Sequence, residues 1–480
     1  MLVVSRLLPL ALLAALALLL SGCGGESSSN AAAVSADVAE LVPADAQLVF
    51  AVETDPESEQ WRQAEALLDR FPGSAGLFGG LSRELSEEDL SFEDDVLPAV
   101  GDQTFVVVRD VNAKEAVLIT QPRDPAKLTE LLQKSDEPSA TRELNGWTLV
   151  AENDAALAAF GEGGESLADA DWFADAQARA DEEALVTMLV NGAAVQAAAE
   201  ARDSDRCATV EQGELDYAVG TVTAEDDGLR LLLAASGEGA EEVVGESTLL
   251  EHVPSGALLY LGAPGFDAAR LGLTDQLRCA LDAGGPLDAE ALLGTSFEDV
   301  LDLFAGGFAA WVRPAALIPE VGLLLEPEDE QRAVELIDAL VERAGGFFGV
   351  ETTTTRVGDI DAREVRVGPV VIRYGAADGR VVITTATSGF DALTGEGGSL
   401  EDDEAFRDAR DAAGIGDDAE VFAYADTDRV VELLTALAAF GESDLPAEVE
   451  ANLEPLESVL AWGDLTDPNE PEAGVFLAIP

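Results

Sequence analysis

The sequence is poor in the side chains that most proteins use to hold metals and polyanions. It has one His, two Met and three Cys in 480 residues. Nitrogen and sulfur ligands for zinc, copper, haem and iron–sulfur centres are therefore nearly missing, and neither a metal site nor a cofactor is expected. Positive charge is scarce too: 27 Lys+Arg stand against 94 Asp+Glu, a formal net charge of −67. A field of that sign repels phosphate backbones, which excludes nucleic acid as a partner and leaves only diffuse cation association. The acidic stretches Asp203-Ser204-Asp205 and 464–472 do not match an EF-hand loop. Aromatic residues make up 6% of the chain and are scattered, thin material for sugar-stacking platforms.

Catalytic motifs are missing as well. There is no Gly-x-Ser-x-Gly, and none of the three lysines (Lys114, Lys127, Lys134) has a Ser three residues before it. A single histidine cannot build His-Glu-x-x-His. The Gly-Glu-Gly-Gly stretches at 161–164 and 395–398 are followed by no Lys and complete neither a dinucleotide nor a phosphate-binding loop, so they read as turns. His252 reads as structural or exposed, because general-base work needs an acid partner and a nucleophile beside it. A pair of hydrolytic carboxylates converges in space and leaves no spacing signature, so a carboxylate-dependent extracytoplasmic hydrolase stays as an alternative. Whether the chain is an enzyme is left open, with a non-enzymatic role favoured; no catalytic residue is assigned.

What is present begins with an address. Met1 to Gly22 has a charged start (Arg6), an apolar run from Leu7 to Leu20 and small residues at its end, the three parts of an export signal. Leu20-Ser21-Gly22-Cys23 resembles the bacterial lipobox, in which cleavage precedes a Cys that then carries lipid. Residues 1–22 are thus read as a lipoprotein signal peptide, Cys23 as the lipidation site, and 23–36, rich in Gly, Ser and Ala, as a flexible tether. The expected location is the extracytoplasmic face of the cell membrane, reached through lipidated Cys23. Cys207 and Cys279 remain, and outside the cytoplasm an isolated pair is expected to form a disulfide.

The apolar share, 48%, is enough for a large core. An internal repeat organises it. Glu40-Leu41-Val42-Pro43 before a strand recurs as Glu251-His252-Val253-Pro254, which aligns His252 with Leu41. Ser91-Phe92-Glu93-Asp94 recurs as Ser296-Phe297-Glu298-Asp299, and Gly161-Glu162-Gly163-Gly164 as Gly395-Glu396-Gly397-Gly398. The later copy is longer, with extra strands expected near Thr352 to Tyr374. Within each copy, short apolar runs (Gln47 to Val52, Thr104 to Arg109, Ala116 to Gln121) alternate with helical spacing (Trp61, Ala64, Leu68, Phe71, and Leu273 to Ala283 in the second copy). The expected fold is α+β: two tandem homologous modules, 37–236 and 248–480, joined by a linker at 237–247. Each is read as a largely antiparallel sheet with helices packed on one face. Cys207 with Cys279 would staple the modules together.

The lipobox, the Val-Pro-x-x-Ala opening, the Phe-Glu-Asp approach to a hairpin and the Ser-Leu-x-Asp helix start together resemble a bacterial surface-lipoprotein family catalogued as domain of unknown function 3352. That resemblance implies an envelope location and supplies no activity. Three roles remain: a binding or interaction module meeting an envelope protein or a small apolar ligand, a lipid or lipoglycan carrier with an apolar groove, and the hydrolase.

Overall fold

A computed structural model describes residues 33–72, 91–202 apart from 114, 135–138, 162 and 182, then 214–238, 249–265, and 294–480 apart from 316–317, 349–351, 417–418, 441–445, 465–466 and 468. The signal peptide, Cys23, Cys207, Cys279, most of the tether, most of the linker and the helix expected at Leu273 to Ala283 lie outside the described residues.

The chain forms α+β structure around one antiparallel sheet of 18 strands. Its first half supplies β1 (Leu48–Glu53), β2 (Gln103–Asp110), β3 (Glu115–Thr120), β4 (Ala140–Leu144), β5 (Trp147–Ala151), β6 (Val186–Asn191), β7 (Glu214–Glu225) and β8 (Gly228–Glu238). The second supplies β9 (Leu259–Pro264), β10 (Gly307–Arg313), β11 (Glu320–Leu325), β12 (Thr352–Val357), β13 (Ile360–Val367), β14 (Val370–Ala377), β15 (Arg380–Thr384), β16 (Glu420–Asp426), β17 (Ser458–Asp464) and β18 (Glu472–Ala478). Pairing runs β4-β5-β3-β2-β1-β6-β7-β8 and then β18-β17-β16-β9-β10-β11-β15-β14-β13-β12. Read inward from its two edges, the order is the same once β12 and β13 are set aside. These two strands fall where the longer second copy is expected to carry its insertion.

The halves meet where β8 pairs with β18, from Gly228 opposite Ala478 to Ala234 opposite Glu472. Gly228 is needed there, because a Cβ would stand 2.4 Å from the Phe476 ring. Arg230 lies across this seam, 5.0 Å from the Phe476 ring centroid and 5.7 Å from that of Trp462, and donates to the Ala413 carbonyl at 2.7 Å. Cation–π contacts of this kind contribute about 0.5–2 kcal/mol.

Helices cover both faces of the sheet, a correction to the expectation of one covered face. Val49, Ala51, Phe105 and Val107 share a core with Phe173 and Ala176 of the helix Asp171–Arg179. On the opposite face, Leu118 and Val150 pack on Leu128 of the helix Pro125–Lys134. Val52, also on that face, meets Trp61, Ala64 and Leu67 of the helix Glu59–Leu68. The physical reason lies in the strands. Phe105, Val106, Val107 and Val108 form an unbroken apolar run, all buried, and such a run must be shielded on both sides. The second half does the same, with Phe406 of the helix Glu404–Ala412 on one face and Ile337 of the helix Glu330–Phe348 on the other.

Local signals place these helices. Ser58 caps Glu59–Leu68 by accepting from the Trp61 amide at 3.2 Å, and Trp61, Ala64 and Leu67 then face the sheet at helical spacing. Ser166 and Asp169 form a capping box, whereas Ser399, at the matching Ser-Leu-x-Asp start of the second half, makes no side-chain cap bond. Pro43 bridges to Ser166 and Pro254 to Ser399, so the two Val-Pro openings dock on the two Gly-rich turns. Two boundaries move. Val34 is 2% exposed inside the first core, so the folded part starts before residue 37. β8 runs to Glu238, so pairing claims the first two residues of the expected linker.

Candidate functional site

Of the residues singled out from sequence, the cysteines lie outside the described residues and His252 is described. It ends a short 3-10 turn, Leu250–His252, and its Nε2 stands 3.2 Å from a Glu251 carboxylate oxygen. Burial lowers its pKa and the positive charge of Arg380 lowers it further, against Glu251 and Glu326. The imidazole is therefore neutral at pH 7, and among the described residues no nucleophile is hydrogen-bonded to it. The Gly-rich stretches are turns: Gly161 and Gly395 both have φ 68°.

Sequence reasoning missed a buried carboxyl at the end of β1. Glu53 is 0% exposed; one of its oxygens accepts from the Asp55 amide at 2.8 Å and the other, Oε2, has no partner. Around it the chain is tied down closely. The Thr54 amide donates to Asp102 O at 2.8 Å and its hydroxyl to Gly101 O at 2.7 Å. The hydroxyls of Thr54, Thr104 and Thr120 lie 3.2 and 3.3 Å apart in a row. Arg123 reaches Thr54 O at 3.0 Å and Asp102 at 2.9 Å, with Asp55 at 3.8 Å. Burial pushes the Glu53 carboxyl up to about 7, and Asp55 and Asp102 add like-charge repulsion against the pull of the Asp55 and Thr54 amides. Titratable groups shifted this far often mark functional sites. With no exposed atom, though, Glu53 can hold a proton but cannot touch a substrate. The sequence signal available for it was a Glu closing an otherwise apolar strand.

Among the described residues, two open surfaces stand out. In the second half, Leu259, Leu261 and Val321 are 36%, 55% and 51% exposed. Leu261 pairs with Ala310 and Leu259 with Val312, which in turn pairs with Val321, so these side chains share one face of β9, β10 and β11. In the first half the same face of β2 and β3 is closed: Val106, Val108 and Ala116 form a buried cluster with Leu48 and Phe50 against it. The second surface is a groove of about 350 Å³ between the helices Thr427–Phe440 and Ala447–Leu453, lined by Asp428, Glu450 and Glu454 with Val431, Ala447 and Ala451. Burial raises the Asp428 pKa, helped by Asp426 and Glu432. Among the described residues no group of three or more His, Cys, Asp or Glu side chains is placed to hold a metal ion, and no helix is long and apolar enough to cross a membrane.

No family model matches the chain, and no curated protein matches it. Among solved structures, one described as crystal form IV of TP0453 aligns over 41% of this chain and 81% of its own, at 9% identity and a TM-score of 0.22.

Proposed function

We propose that the chain is a lipid-anchored protein of the extracytoplasmic membrane face, which binds an envelope protein through the open face of β9, β10 and β11. The exposure of Leu259, Leu261 and Val321 on one sheet face carries this reading. Contiguous apolar side chains on a folded surface mark an interaction site more often than chance exposure. The face belongs to a sheet rather than to an enclosed cavity, which suits a protein surface better than an acyl chain. With a net charge of −67, the chain favours a partner whose apolar patch is rimmed by Lys and Arg.

Support for the anchor is the run Leu20-Ser21-Gly22-Cys23 after a proper apolar segment, and a diacyl anchor holds where a single chain would not. The repeated strand order and the paired bridges Pro43–Ser166 and Pro254–Ser399 support two homologous modules, and with them membership of the surface-lipoprotein family that the motifs resemble.

Two experiments test the reading. Cys23→Ala should abolish fatty-acid labelling and release the protein or leave it uncut; continued labelling and sedimentation with membranes would remove the anchor. A photo-crosslinking residue at 261 in whole cells should join the chain to a protein, in a salt-sensitive complex that the double variant Leu261→Glu/Val321→Glu weakens at least tenfold without changing thermal unfolding. Cross-linking to lipid alone would favour the carrier instead.

A further inference from the structure

One corner of the sheet is built differently in the two halves. In the first, the turn Asn145-Gly146 (φ 49° and 87°) leads into Trp147, which is 7% exposed and packs edge-on against Phe105, ring centroids 5.5 Å apart. Leu41, 3% exposed, belongs to the same core. In the second half, the turn Asp378-Gly379 (φ 53° and 82°) leads into Arg380. β15 lies beside β11 as β5 lies beside β3, so Arg380 stands where Trp147 stands. Phe105 pairs with Ala51 of β1, and Ala309 pairs with Gly262 of β9, so Ala309 replaces Phe105. Leu41 precedes Val42, whose carbonyl accepts from Leu167; His252 precedes Val253, whose carbonyl accepts from Leu400. Three apolar groups have thus become His252, Ala309 and Arg380, which brings in two basic side chains, while the bulk of that face moves one step along, to Trp311 and Tyr260 in place of Val107 and Val49.

Arg380 stands out for what it does not meet. Its Nε and Nη1 are buried and have no hydrogen-bond partner. Acids are abundant, and other arginines find them: Arg313 with Glu320 at 2.7 Å, Arg332 with Asp299 at 2.6 Å, Arg373 with Glu364 at 2.9 Å. Buried donors left unmade cost about 1–3 kcal/mol each, more when charged. The groups whose charges reach His252 are Arg380, Glu251 and Glu326.

We infer that Arg380, at the corner of the sheet that also carries His252, forms a binding site for the carboxylate of a small monoanionic ligand. The guanidinium supplies the charge-assisted donors, and its Nε and Nη1 have no protein partner that a ligand would have to displace. A dianion such as phosphate is disfavoured, because Glu251 and Glu326 flank the site and the whole chain is acidic. This site stands on its own geometry and holds whether or not the open face of β9 binds a protein.

His252 is the only histidine in the chain, so its ring signals in a proton NMR spectrum need no assignment. Titration of the full chain with sodium acetate, at constant ionic strength against sodium chloride, should shift those signals saturably and raise the His252 pKa, since a bound anion favours imidazolium. Arg380→Met should lose at least tenfold in apparent affinity, and Arg380→Lys should keep part of it. Should Arg380→Met fold poorly, an acetate-dependent rise in Tm for the wild type that His252→Gln reduces and chloride does not reproduce gives the same answer. A shift that never saturates, that chloride matches, or that survives Arg380→Met overturns the site. Tighter binding of phosphate than of acetate overturns the monocarboxylate assignment.

Discussion

β1 and β9 hold the same place in the two halves of the strand order, and their surroundings have been resolved in opposite ways. β1 ends on Glu53, sealed among Thr54, Asp55, Asp102 and Arg123, while β9 ends on Pro264, whose ring carries no ionisable group to seal. Beside β1, both faces of β2 are buried; beside β9, Leu261 and Val321 are more than half exposed. At the corner, Trp147 and Phe105 pack edge to face in the first half, where the second half has Ala309 and an Arg380 whose Nε and Nη1 are unpaired. The first half has put its sequence into closure, and the second has kept groups available. Binding capacity is therefore expected in the second half.

The largest effects should come from exchanging these choices at the corner. Trp147→Ala should cost about 3–5 kcal/mol of unfolding free energy, because a buried aromatic leaves a cavity that its neighbours cannot fill. Arg380→Met, at the matching position, should instead raise stability by about 1 kcal/mol in anion-free buffer, since it removes donors that are buried unpaired. Chemical denaturation of both variants decides whether the corners differ in kind; equal losses would make Arg380 an ordinary structural residue.

Next in size is the pH dependence carried by Glu53. Its folded pKa of about 7 lies above its ordinary value of 4.5, so between these values the folded chain holds a proton that the unfolded chain has released. Stability from this group is therefore full below about pH 4.5, falls as pH rises and levels off above about pH 7, a total of roughly 3 kcal/mol. Glu53→Gln should remove that slope, making the variant the more stable form at pH 8 while the two differ little at pH 4. Parallel wild-type and variant curves would place the Glu53 pKa back in the ordinary range. The smallest contrast is at the caps. Ser166→Ala should cost about 1 kcal/mol by losing its capping box, and Ser399→Ala close to nothing, as read from thermal unfolding.

Much of the fold is legible in the sequence. Hairpins such as β2–β3 show as apolar runs across a polar turn, Ser58 and Ser166 announce helix starts, and the extra strands expected near Thr352 to Tyr374 correspond to β12 and β13. The covering of both faces is legible too, in the unbroken run Phe105 to Val108, although a run without alternation does not say which element covers which side. Arg380 and Glu53 were not legible. Neither belongs to a motif, and each acquires meaning only from register. Arg380 matters because a charge follows the turn where Trp147 follows its counterpart, and Glu53 because strands on either side close over it.

The seam between β8 and β18 also sets a schedule. A ribosome adding about 5–20 residues per second makes β18 on the order of 10–50 seconds after β8, and among the described residues no other strand pairs with that side of β8 in the finished sheet. Until then the first half carries an unpaired edge, with Leu231 and Leu233 alternating along it toward the face away from Arg230. Such an edge pairs readily with another chain. A nascent or truncated protein ending before Glu472 is thus the form most exposed to joining its neighbours, and whatever delays the arrival of β18 lengthens that exposure in proportion.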